Sequence, residues 1–287
     1  MAPRVSSYYS PEVYTISPSD TLAAARNMML RYKIRRLVVV DEEEKPVGIL
    51  TATDIAEALL GKFQARPLDN IRVEEIMNKD VITIEYSKSI KTAARLMIRH
   101  RIGGLPVVSP DGRLMGIITK TDLVKAFADR FQGKYRVADL KRPAYAKASP
   151  THSVYYLWRL IHIDPSGKII VIDSNERPIG VITKWDLATV TLPETAMFAS
   201  GKNRYMKRKT ADIYGNKIIA VRTYFVPVAE NIMTPNPITT TDETDAADAA
   251  KIMVKNKIGA LPVIDENEVL TGVVTKREFL LTIAQKG

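Results

Sequence analysis

Hydrophobic and polar positions alternate along this chain in a pattern that returns four times. Leu22, Ala25 and Met29 stand at i, i+3 and i+7, the spacing of one face of a helix. The same face recurs at Ile90, Ala93 and Met97, at Val154, Leu157 and Ile161, and at Ala246, Ala249 and Met253. Successive copies are displaced by 68, 64 and 92 residues, and the apolar runs 37–40, 105–108, 169–172 and 261–264 follow at the same offsets. A self-similarity of this period is the signature of a repeat architecture.

Each copy predicts the same order of elements. In the first, 14–16 is an extended lead-in and 17–20 supplies polar helix-start chemistry, after which a helix runs to about Tyr32. A strand at 37–40, a turn at 41–45 and a strand at 47–50 follow, and a second helix runs from Thr51 to near Gly61. The corresponding helix starts are expected at Ser87 and Thr151, and the turns at 109–112 and 173–177. The fourth copy opens with 229–233, the counterpart of 73–77. A unit this small cannot bury both of its helices alone, so pairing is expected, first with second and third with fourth, through sheets and helices. Between the third and fourth copies the spacing is 92 against 64, a surplus of 28 residues within 191–228. This insertion holds five cations and no acid over 202–209, and an apolar stretch at 218–224 suited to an added strand.

The chemistry lies at the junction of second strand and second helix. There the copies read Gly48-Ile49-Leu50-Thr51-Ala52-Thr53-Asp54, Gly116-Ile117-Ile118-Thr119-Lys120-Thr121-Asp122, Gly180-Val181-Ile182-Thr183-Lys184-Trp185-Asp186 and Gly272-Val273-Val274-Thr275-Lys276-Arg277-Glu278. Thr followed three residues later by an acid is a capping box, and the glycine reads as serving a tight turn. The same helix N-terminus presents free backbone N–H groups suited to a phosphate. Entering the first core strand the copies read Ile34-Arg35-Arg36-Leu37, Ile102-Gly103-Gly104-Leu105, Ser166-Gly167-Lys168-Ile169 and Ile258-Gly259-Ala260-Leu261. Small residues let a ligand approach the backbone, and Arg35, Arg36 and Lys168 suit a phosphate. An acid for ribose hydroxyls, N–H groups for phosphate and an apolar slot for a base together make a nucleotide site.

Composition narrows the partners. A net charge of +10 over 287 residues favours anionic ligands, acidic proteins or nucleic acid. No apolar run approaches the ~20 residues of a membrane helix, and the first residues lack a signal-peptide core. The absence of cysteine excludes disulfides and thiol catalysis, and three scattered histidines form no zinc-like cluster.

The fourfold Gly-apolar-apolar-Thr-x-x-Asp segment, with strands such as Leu105-Pro106-Val107-Val108 and Leu261-Pro262-Val263-Ile264 before it, resembles the CBS domain. The arrangement is similar to the γ subunit of AMP-activated protein kinase and to stand-alone archaeal proteins with four CBS repeats. The resemblance implies an α/β fold of four β-α-β-β-α repeats paired into two Bateman modules. The repeats would span 8–62, 72–130, 136–192 and 228–285, with a basic insertion at 193–227.

It further implies a cytoplasmic, non-catalytic regulator that binds AMP, ADP or ATP, with S-adenosylmethionine ranked behind, and signals energy state to an unidentified regulated protein. By position, Asp54 with Thr51 and Thr53 would face Ile82, Ile102, Gly103 and Gly104, and Asp122 with Thr119 and Thr121 would face Tyr14, Ile34, Arg35 and Arg36. Asp186 with Thr183 would face Ile238, Ile258, Gly259 and Ala260, with Lys168 nearby, whereas Glu278 departs from the pattern. A homodimer is compatible with the sequence. No metal, catalytic cofactor or membrane contact is expected, and the alternative function is a nucleic-acid-binding regulator acting through the basic insertion, 201–210.

Overall fold

The computed structural model describes residues 3–60, 66–189 and 226–286. The basic run 202–209, the strand expected at 218–224 and the helix end at Gly61 lie outside these residues. The first repeat comprises β1 (Thr15–Ile16), α1 (Leu22–Arg31), β2 (Arg36–Val40), β3 (Pro46–Thr51) and α2 (Ala52–Leu60). The second comprises β4 (Ile84–Glu85), α3 (Ile90–Arg99), β5 (Gly104–Val108), β6 (Leu114–Thr119) and α4 (Lys120–Arg130). In the third these become β7 (Lys147–Ala148), α5 (Val154–Leu160), β8 (Lys168–Ile172), β9 (Pro178–Thr183) and α6 (Lys184–Thr189). The fourth contains β10 (Thr234–Pro235), α7 (Ala246–Lys255), β11 (Ala260–Ile264), β12 (Leu270–Thr275) and α8 (Lys276–Lys286).

Each lead-in strand runs parallel to the first core strand, which pairs antiparallel with the second; Leu37 stands opposite Leu50 and Leu105 opposite Ile118. In the fourth repeat a single parallel bridge from Thr240 to Val263 takes the lead-in's place, while β10 joins β9 of the third. All twelve face positions of the repeated helix are buried. The helix caps fall later than the sequence suggests. Thr21, Ser89 and Ser153 accept from the N–H groups of Ala24, Thr92 and Tyr156, immediately before the first buried residue of each helix. Ser87 instead donates to Glu85, and Thr151 contacts the Ser149 hydroxyl.

The repeats pair by exchanging their entry segments. Val5, ahead of β1, is buried in the core of the second repeat, and Val73, ahead of β4, is buried in the core of the first. The other pair repeats the exchange, with Val137 in the core of the fourth repeat and Ala229 in that of the third. Backbone ties run both ways between Ser10 and Ile117, Asn78 and Ile49, and Arg142 and Val273. These ties explain the motif glycine, which stands within a strand and not in a turn. A Cβ on Gly48 or Gly180 would run into the sulfur of Met77 or Met233, and one on Gly272 would lie 2.8 Å from the Arg142 carbonyl oxygen.

The helices pair differently from the expectation. With the sheet face of each repeat covered by its partner, the main helix contacts join the second repeat to the fourth and the first to the third. Phe127 of α4 meets Phe279 of α8 edge-on at 4.9 Å, and Arg95 donates to the Ala284 carbonyl near the end of α8. On the other side, Trp185 of α6 packs on the core of the first repeat.

Candidate functional site

This double pairing turns the N-termini of the motif helices toward one centre, where Lys276 Nζ donates to Thr121 Oγ1 at 2.7 Å. A cavity of about 800 Å³ opens there.

The motif acid is held in the same way in each repeat. Asp54 Oδ2 accepts from the Thr51 N–H and hydroxyl at 2.7 Å each, and the Thr119–Asp122 and Thr183–Asp186 pairs show the same distances. Glu278 Oε2 accepts from Thr275 N and Oγ1 at 2.8 and 2.5 Å. The acid's half of a capping box is therefore present in all four repeats, and it consumes one carboxylate oxygen. The Oδ1 atoms of Asp54 and Asp122 accept no hydrogen bond among the described residues. Burial pushes the Asp122 carboxyl up, against the Thr119 hydrogen bonds that pull it down.

The cavity draws together residues predicted for two clefts. Thr51, Thr53, Asp54, Ile82, Ile102, Gly103 and Gly104 line it from one side, and Tyr14, Ile34, Arg35, Arg36, Thr119 and Thr121 from the other. Arg36 lies over the glycines: a Cβ on Gly103 would come within 2.7 Å of its Nη2, so a larger residue there would make the guanidinium shift. Burial lowers the Arg36 pKa while Asp122 and Asp54 oppose that shift, and the group makes no hydrogen bond among the described residues. From the third repeat the cavity takes Thr183 and Lys168, whereas Asp122, Asp186, Ile238, Ile258, Gly259 and Ala260 are not part of its lining. Ala260 is buried in the sheet contact between third and fourth repeats, and Gly259 lies under the Lys168 side chain.

Sequence reasoning missed Lys120, Lys184 and Lys276, which also line the cavity. The signal was a lysine directly after the motif threonine in three repeats out of four. Burial, with repulsion from Lys276 and Lys120, lowers Lys168 to about 8. Lys276 falls to about 8 through burial and the nearby Arg35 and Arg36. Arg35, Arg36, Lys120, Lys168, Lys184 and Lys276 thus line one cavity, an excess of positive charge that attracts anions.

The CBS domain family model matches residues 5–61, 73–129 and 228–285, more than half of the chain. The chain belongs to the CBS domain family. The third repeat, which has Pro165-Ser166-Gly167 where others carry an apolar entry, lies outside the matched segments. Protein MJ1225 of Methanocaldococcus jannaschii is 28% identical over 281 residues, covering 94% of either chain. Its crystal structure, presented as that of a proposed archaeal homologue of γ-AMPK, superposes with a TM-score of 0.74 at 26% identity over 98% of this chain and 100% of that one. A conserved protein of Pyrococcus horikoshii superposes with a TM-score of 0.65 at 19% identity, over 98% of this chain and 99% of that one, a likeness of fold alone.

Proposed function

We propose that this CBS protein is a non-catalytic regulator that binds adenine nucleotides in the clefts of Asp54, Asp122 and Asp186 and conveys their occupancy to a partner protein. The observation that carries the reading is the division of labour within the motif acid. One oxygen of Asp54 and of Asp122 caps a helix, and the other remains for a pair of hydroxyls such as those of a ribose. Ile82 and Ile102, or Tyr14 and Ile34, offer apolar walls for a base. Phosphates directed inward would meet helix N-termini and the convergent cations. Membership in the family, and the likeness to a protein compared with γ-AMPK, support the regulatory part of the reading.

The test is release of bound small molecules from the purified full chain, identified by mass spectrometry, together with calorimetric titration of AMP, ADP, ATP and S-adenosylmethionine. Adenine nucleotide is expected to bind and to raise the melting temperature, by the equivalent of about 2.7 kcal/mol at a hundred times Kd. No heat and no thermal shift with any of the four would refute the proposal, and steady ATP hydrolysis by clean protein would refute its non-catalytic part.

A further inference from the structure

A fourth cleft would lie between Glu278 and the chain entering the third repeat, and four positions there depart from their counterparts. Arg142 stands where the other entry segments have Ser10, Asn78 and Thr234. Asp164 replaces Tyr32, His100 and Asn256; Ser166 replaces Ile34, Ile102 and Ile258; and Glu278 replaces three aspartates. In the structure these four residues bond to one another. Arg142 Nε donates to Glu278 Oε1 at 3.0 Å. Its Nη1 donates to Asp164 Oδ2 at 2.8 Å and to the Pro143 carbonyl at 3.1 Å, and its Nη2 to Asp164 Oδ1 at 2.8 Å and to Ser166 Oγ at 3.1 Å. All five guanidinium donors are thus used. The side chains of Asp164 and Glu278 are 3% and 5% exposed.

We infer that the fourth cleft is filled by its own chain, with Arg142 as resident occupant where Asp54 and Asp122 keep an oxygen for a ligand. The longer glutamate is what permits this. Its Oε2 still caps α8 through Thr275, while its Oε1 reaches the guanidinium and is no longer available to a sugar hydroxyl. Ser166 completes the change by replacing an apolar wall with a hydroxyl that serves the arginine. A nucleotide entering here would have to displace Arg142, leaving buried Asp164 without its cation and Glu278 with only the more distant Arg277, beside its phosphates. The inference extends the proposed function, because it fixes which clefts that function can use, and its test separates the two.

The opened variant is R142S/D164N/S166I/E278D in the full chain, which restores residue types found in the other clefts. Native mass spectrometry and calorimetry with AMP are expected to give one more AMP per chain than the parent. A folded variant with no added site overturns the inference. A parent that binds no AMP beside a variant that binds one sinks the proposed function and upholds the inference. Should the variant fail to fold, the parent decides. Its Arg142 Nε–H, assigned by NMR against R142K, is expected to exchange slowly with water and to keep its shift in millimolar AMP. Fast exchange without AMP, or loss of the bonded signal with it, overturns the inference.

Discussion

The second oxygen of the motif acid decides what each repeat can recognise. In Asp54 and Asp122 it accepts nothing among the described residues, whereas in Glu278 it is held by Arg142. Charged hydrogen bonds contribute roughly 1.5–3 kcal/mol, so Asp54→Ala or Asp122→Ala is expected to weaken AMP binding about ten- to hundredfold by calorimetry. Glu278→Ala is expected to leave AMP affinity unchanged and to lower stability by roughly 1.5–3 kcal/mol in denaturant titration, since it removes one charged hydrogen bond while Arg142 keeps its ion pair with Asp164.

The lysines add a pH dependence. Lys168 and Lys276, lowered to about 8 by burial and neighbouring cations, are charged below that pH at a cost to the fold. That cost is fully present below about 8 and disappears as pH rises from there toward the ordinary lysine value, so the unliganded protein gains stability over that range. ATP binding has the opposite slope, because a phosphate needs the charged form. A fall of about tenfold per engaged lysine is expected between pH 7 and pH 9. The motif acids were legible in the sequence because four aligned copies isolate them. Arg142 was not, since its meaning depends on Asp164, Ser166 and Glu278, which meet it only once the third and fourth repeats pair.

At the scale of elements, the helices and strands could be read from the spacing of apolar positions, because the same face had to be buried four times. Their partners could not. The face that joins α4 to α8 is apolar whichever repeat it packs on, and periodicity carries no address. Phe127→Ala is expected to cost about 3–5 kcal/mol and to loosen the contact of second and fourth repeats, read as faster amide exchange in α8 as well as α4. The motif glycines give a graded series. Gly48→Ala and Gly180→Ala press on methionine side chains that can move, whereas Gly272→Ala presses on the Arg142 backbone. Thermal melts should therefore rank Gly272→Ala as the most damaging of the three.

For the whole molecule, the exchange of entry segments means that the first residues of the chain belong to the second repeat. Removing residues 1–7 takes Val5 from that core. Hydrogen exchange should then rise in α3 and α4 before it rises in α1. The same exchange bears on chain-closure entropy. From Asp54 to buried Val73 the chain spans 19 residues, and from Asp186 to buried Ala229 it spans 43. Both ends of each span are fixed in a single repeat, so the longer one is an enlarged ring, not a longer tether between bodies. Closure entropy grows with the logarithm of ring size, about 0.6 kcal/mol per doubling, and this ring is a little more than doubled. The added length of the basic insertion therefore costs the fold little in closure entropy.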